Sequence, residues 1–395
     1  MGFSRLALFL FLLAACLLGS AAGAAEQRPV IRIGCTASQT GNYAELGKDQ
    51  LQGVLMWAED LNARGALLGH RVEIIAYDDG SDPGRSAQLY EKLITEDQVD
   101  LLIGPYGSDI TFAASEVAER HQIPMVAAGA AAEDIWRRGL RNIFQIDTPA
   151  GQYMDLPIRL ADEHGLKRVA VVYADSDFPI QVAEGVRAAA RAYGMEIVLD
   201  EAYPEDQVEF DGLGQRLAEA RPDVLLGGTY LKDAVGLVRS VKAVGLSPKI
   251  FAMTVGPAQR EFGQSLGDDA EGVLGLVAWM RSGQVPMAYD FSYRYKQRFG
   301  SNAAAQAAYG YAAGQVLEAA VRLANSLDHE AVREQLRTMK FRSLLGNYRV
   351  DETGAQLAKR AYVMQWQDGY RLLVLPEEVR DAPIRYPFPP WEDRR

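Results

Sequence analysis

Cysteine is nearly missing from this chain: 395 residues contain two, Cys16 and Cys35. Cys16 falls inside an apolar N-terminal run, so removal of that run leaves one thiol and no intrachain disulfide. Stability must then come from the core, and Cys35, on a predicted strand, reads as a small buried hydrophobe. Histidine is scarce as well; His70, His121, His164 and His329 are scattered without metal-ligand spacing. Positive charge is the minority sign. Lys and Arg number 41 against 52 Asp and Glu, a formal charge of −11 that argues against nucleic acid and favours solubility. Beyond the N-terminus no apolar run is long enough to cross a bilayer.

Signatures of catalysis and cofactors are also lacking. Gly227-Gly228 makes no dinucleotide fingerprint. Gly263-Gln264-Ser265-Leu266-Gly267 matches G-x-S-x-G by letter but follows a helix, where a nucleophile elbow needs a strand. Asp78, Asp79 and Asp82 lack the downstream Glu of an EF-hand loop and read as a solvated loop with an N-cap. The expectation is no catalytic residue, no metal and no cofactor.

What is there begins with a signal. Arg5 precedes an apolar core, Leu6–Leu18, then the breaker Gly19-Ser20 and the small-residue run Ala21–Ala25. This predicts a secretory signal peptide over residues 1–25, with Ala22-Gly23-Ala24 as the cleavage site. Leu13-Ala14-Ala15-Cys16 also reads as a lipoprotein box that would acylate Cys16. Two leucines after Cys16, and an apolar core running through it, favour ordinary cleavage. The expected location is the periplasm. About 370 residues remain, enough for two domains.

The pattern runs twice. Strands at Ile31–Cys35, Arg71–Tyr77, Val99–Ile103 and Pro124–Ala128 alternate with helices at Lys48–Asn62, Asp82–Thr95 and Asp109–His121. From Lys167 the series restarts, with strands Val169–Tyr173, Met195–Leu199, Val224–Gly227 and Lys249–Met253. Helices Ile180–Tyr193, Phe210–Ala220, Asp233–Val244 and Pro257–Leu266 alternate with them. Such βαβ units predict an α/β fold of two doubly wound, Rossmann-like lobes. After Val273–Trp279 come three helices with no strands of their own, then a hairpin, Tyr362–Trp366 and Tyr370–Leu375, turning at Gln367-Asp368-Gly369. Helices without strands must cover an existing sheet. Residues 30–146 with 279–347 are therefore assigned to an N-terminal lobe, and 149–277 with 350–375 to a C-terminal lobe. Three crossings between them make a hinge with a cleft beside it. Residues 376–395, rich in Pro and charge, are expected to form a surface strap or a disordered tail.

The stretch Val99–Ala132 carries the most chemistry. One strand ends in Gly104-Pro105-Tyr106-Gly107, with Ser108 and Asp109 where a helix N-cap belongs, and the next ends in Gly129-Ala130-Ala131-Ala132. Ligands of open α/β sheets bind beyond the carboxyl ends of the strands. Two small-residue loops with one hydroxyl and one aromatic ring suit a small carboxylate held by backbone donors. They do not suit covalent chemistry, since Ser108 has no neighbouring base. The plainer alternative is that Ser108 only caps its helix.

In its motifs the chain resembles the type I periplasmic solute-binding proteins of ABC transporters, in the leucine/isoleucine/valine-binding branch. The residues are IRIGCTASQTGNYAELG, LNARGALLGHRVEIIAYDDGSDP, LLIGPYGSD, RVAVVYADSDF, DVLLGGTY, the VGL ahead of Pro248, and GDDAEGVLG. The resemblance implies capture of a small solute for membrane permease subunits, by a protein acting as a monomer. It places Ser108 at the carboxylate anchor and Gly129 and Ala131 at backbone contacts. Tyr230 and Phe178 match cleft aromatics, and Tyr106 and Tyr43 lie in nearby loops. Ala131 stands where the family has a threonine for the ligand ammonium, and Val255 near its glutamate counter-charge. An ammonium buried without those partners would cost several kcal/mol. An apolar or aromatic acid is therefore the favoured cargo. Two alternatives stay open: an α-amino acid whose ammonium meets Asp175 or Asp177, and a sensor that reports ligand without transport.

Overall fold

The computed structural model describes residues 30–394, so the expected signal segment, its cleavage site and Cys16 lie outside the described residues. The first sheet joins β1 (Ile31–Ala37), β2 (Val72–Asp78), β3 (Leu101–Ile103), β4 (Met125–Ala127) and β5 (Ile143–Gln145) in the order β2-β1-β3-β4-β5, all parallel. Every residue of β3, β4 and β5 is buried, as expected of parallel strands covered on both faces. The second sheet begins with β6 (Arg168–Ala174), β7 (Glu196–Tyr203), β8 (Val224–Gly228), β9 (Ile250–Met253) and β10 (Leu274–Val277). Their order, β7-β6-β8-β9-β10, repeats that of the first sheet. In each sheet the order reverses between two central strands, β1 and β3 in one, β6 and β8 in the other. Ligands bind at such switch points.

The chain then leaves the second sheet. Helices Ala288–Phe299, Ala305–Ala324 and His329–Thr338 follow β10, and the middle one lies directly on the helix Ala44–Ala63. The contact is backbone to backbone: a Cβ on Gly53 would stand 1.9 Å from the Ala307 carbonyl oxygen, and one on Gly310 2.0 Å from that of Gln50. A short hairpin, β11 (Phe341–Ser343) and β12 (Gly346–Tyr348), precedes the return. Finally β13 (Tyr362–Gln367) pairs antiparallel with β10 and with the edge strand β14 (Tyr370–Leu375).

Several details depart from the sequence reading. Four strands are expected before the first crossing and five are found; β5, three residues long, is too short to show a period. The hairpin β11–β12 escapes for the same reason. The expected helix Pro257–Leu266 is split into Val255–Ala258 and Arg260–Leu266 by Gln259, which is extended at φ −84° and ψ 144°. Side chains from the terminal hairpin claim the carbonyls at the break: Trp366 Nε1 donates to Pro257 O at 2.9 Å, and the Arg371 guanidinium donates to Ala258 O. The last turn is tighter than expected, because Gln367 belongs to β13 and only Asp368 and Gly369, at φ 54° and 76°, make the corner.

The tail is a strap. Phe388 is buried against Phe251, with ring centroids 5.6 Å apart, and Trp391 Nε1 donates to Leu246 O at 2.8 Å. The Arg394 guanidinium lies 3.3 Å from the Trp391 ring centroid, closing the end onto the second lobe. Cys35 is buried on β1, which pushes its thiol up to about 12. Among the described residues no helix is long and apolar enough to cross a membrane.

Candidate ligand-binding cleft

The loops after the switch-point strands converge from both lobes. The one after β1 carries Tyr43 and is pinned by the acids that end β2. Asp78 Oδ1 accepts the N–H groups of Gln39 and Thr40 at 2.8 and 3.2 Å, and Asp79 accepts the hydroxyls of Thr36 and Ser38 at 2.8 and 2.7 Å. These bonds occupy the acids that invited a calcium reading. Among the described residues no group of three or more His, Cys, Asp or Glu could hold a metal ion.

The loop after β3 differs from the expected cap. Gly107, at φ 99°, is the N-cap, and Ser108 is the first helical residue. Its Oγ does not cap the helix but accepts the N–H groups of Ala131 and Ala132 at 3.2 and 3.1 Å. With its lone pairs so used, the hydroxyl has its proton left to give. The two loops are laced together by Gly107 N donating to Gly129 O at 3.0 Å. Close approach demands glycine at 129: a Cβ there would stand 2.6 Å from Gln50 Oε1 and 2.7 Å from Tyr106 Cδ2.

Aromatic rings join the lobes. Tyr43 packs edge-on to Tyr106 with centroids 5.8 Å apart, and 5.4 Å from Tyr230, which follows β8. Phe178, after β6, lies 6.5 Å from Tyr230 and 5.1 Å from Tyr153. The lobes also meet through hydrogen bonds. Tyr43 OH donates to Glu205 Oε1 at 2.8 Å, and Gln181 Oε1 accepts the N–H of Glu133 at 2.5 Å. Asp109 is pushed up to about 6 by burial, with further repulsion from Glu205 and Asp177. Carboxylates of opposite lobes are thus held close, as in a closed conformation.

Between these loops is a cavity of about 750 Å³. Tyr106, Ser108, Gly129, Ala131, Phe178, Tyr230 and Val255 all border it, so the seven sequence-level site residues share one space. Asp175 and Asp177, offered there as a relocated counter-charge, do not border it; β6 ends at Ala174, and Phe178 takes the inward place. The sequence reading missed Asp147, a buried acid in the first crossing that does border the cavity. It accepts the N–H of Thr148 at 2.7 Å and the hydroxyl of Tyr153 at 2.9 Å. Burial nevertheless pushes it up to about 6, while Lys359, buried just ahead of β13, is pulled down to about 8. Nothing in the sequence marks Asp147, a lone acid in Ile146-Asp147-Thr148-Pro149.

Known proteins share this architecture. Leu/Ile/Val-binding protein homolog 7 of Brucella suis is 25% identical over 386 residues, covering 93% of this chain and 96% of its own. A branched-chain amino acid transporter substrate-binding protein from Streptococcus pneumoniae, solved with isoleucine, superposes with TM-score 0.78 at 20% identity, covering 91% of this chain and 100% of its own. An ABC transporter solute-binding protein from R. palustris, solved with benzoate, gives TM-score 0.78 at 19% identity, covering 90% of this chain and 98% of its own. The profile of the periplasmic binding protein family matches residues 30–371. With nearly the whole described chain matched and two doubly wound lobes closed over a cleft, the protein belongs to the periplasmic binding protein family, in its type I fold.

Proposed function

We propose that this protein captures a small carboxylate-bearing solute with an apolar or aromatic body, in the periplasm, and delivers it to the permease of an ABC transporter. The observation that carries the reading is Ser108: two backbone N–H groups orient its hydroxyl, which keeps a proton to donate beside the rings of Tyr106, Phe178 and Tyr230. Ala131 and Val255 supply no side-chain partner for an ammonium, and a structural relative holds benzoate. Three crossings, near residues 146–149, 277–279 and 347–350, act as the hinge between lobes 30–146 with 279–347 and 149–277 with 350–375. A thermal-shift screen of carboxylates and amino acids tests the proposal, since a bound ligand raises the midpoint by mass action. Apolar and aromatic acids are expected to raise it most; no shift with any carboxylate refutes the reading.

One observation favours a second cargo. Asp147 is a buried carboxylate bordering the cavity, so an α-amino acid ammonium has a candidate partner there. Leucine or phenylalanine outranking the simple acids in the same screen supports that reading.

A further inference from the structure

The second-lobe wall of the cavity crosses several strands. It runs from Phe178 after β6, through Tyr230 after β8 and Val255 after β9, to Arg371 on the edge strand β14. Neighbouring strands lie about 4.8 Å apart, so this wall extends well beyond what one carboxylate and its ring would cover. At its far end the cations differ in their partners. Arg260 pairs with Glu261 at 3.1 Å, and Lys48 pairs with Glu45 at 3.1 Å. Arg371 is half-buried, donates to Ala258 O, and has no carboxylate within ion-pair distance among the described residues. Burial disfavours its cation, the nearby charge of Glu261 offsets part of that and Arg260 adds to it, so an incoming anion would relieve it further. Asp49, another acid on that side, is itself pushed up to about 6 by burial and accepts the Tyr295 hydroxyl at 3.3 Å.

We propose that Arg371 forms a second anion-recognising subsite. The ligand is then an elongated acid with an anionic group at each end, one read by Ser108 and the other by Arg371. A guanidinium suits this role because its planar fork can grip a carboxylate through two parallel hydrogen bonds. The inference rests on the carboxylate reading of Ser108.

Calorimetric titration of the wild-type protein with matched acids tests it: benzoate against terephthalate, and octanoate against suberate. The diacid of at least one pair is expected to bind ten-fold tighter or more than its monoacid. In Arg371→Gln that diacid is expected to lose the advantage. Equal affinities within both pairs overturn the subsite while leaving the Ser108 anchor standing. A diacid preference that survives Arg371→Gln likewise overturns it. If no acid of either kind binds, the carboxylate reading fails and the subsite with it.

Discussion

At the scale of single residues, Ser108 bears the most weight. Its Oγ joins two loops and keeps one donor for the cleft, so Ser108→Ala removes both roles. Affinity for the cognate acid should fall by about 1.5–3 kcal/mol, the range for a hydrogen bond to a charged group. The unliganded protein should also melt earlier, because the N–H groups of Ala131 and Ala132 lose their acceptor. Calorimetry and thermal melting separate the two effects, and unchanged affinity would place the anchor elsewhere. Asp147 makes a prediction of a different kind. Its folded value, about 6, lies above the ordinary 3.8, so the folded protein holds that proton more tightly than the unfolded chain. The resulting stabilisation is present below pH 4 and is lost as pH rises through 6, on the order of 2–3 kcal/mol. Other buried acids shift the same way, so the test is a difference: melting temperature should fall less between pH 5 and pH 7 in Asp147→Asn than in wild type. An identical fall in both proteins would contradict this account. Of these two residues, only Ser108 is legible in the sequence, because it sits in a strand–loop–helix pattern. Asp147 owes its role to burial at a crossing, which no local pattern records.

At the scale of elements, the contact between helices Ala44–Ala63 and Ala305–Ala324 connects the core to the cleft. Gly310 lets the second helix press on Gln50, whose Nε2 donates to Gly104 O at 3.1 Å at the end of β3. Alanine favours a helix interior over glycine by about 1 kcal/mol, so propensity alone makes Gly310→Ala stabilising. The packing predicts the opposite sign. A Cβ 2.0 Å from the Gln50 carbonyl oxygen forces the helices apart, at a cost of about 1–3 kcal/mol or more. Urea denaturation measures the result, and a variant as stable as wild type would show that the helices can part freely. The sequence predicts both helices from their apolar period but not their closeness, which depends on backbone-to-backbone approach. The break at Gln259 is hidden for a similar reason: its cause lies in Trp366 and Arg371, more than a hundred residues along the chain. Long regular units such as β6 with its following helix were readable, whereas the short strands β5, β11 and β12 and partners distant in sequence were not.

At the scale of the molecule, function follows from repetition. Two sheets whose first five strands share one order present their switch points to each other, so Tyr106 and Ser108 face Phe178 and Tyr230 across one cavity. Closure is costly by itself, since it buries Asp109 near Glu205 and Asp177. Ring contacts and the hydrogen bond from Tyr43 to Glu205 offset part of that cost, and under the proposed function a solute held from both sides would supply the rest. Under the proposed function this cavity selects an acid and not an ammonium. The most direct measurement is a calorimetric titration of one matched pair, phenylalanine against 3-phenylpropanoate, which share a skeleton and differ in the amino group. 3-Phenylpropanoate is expected to bind more tightly; phenylalanine binding ten-fold tighter, about 1.4 kcal/mol, would overturn acid selection and move the ammonium anchor to Asp147.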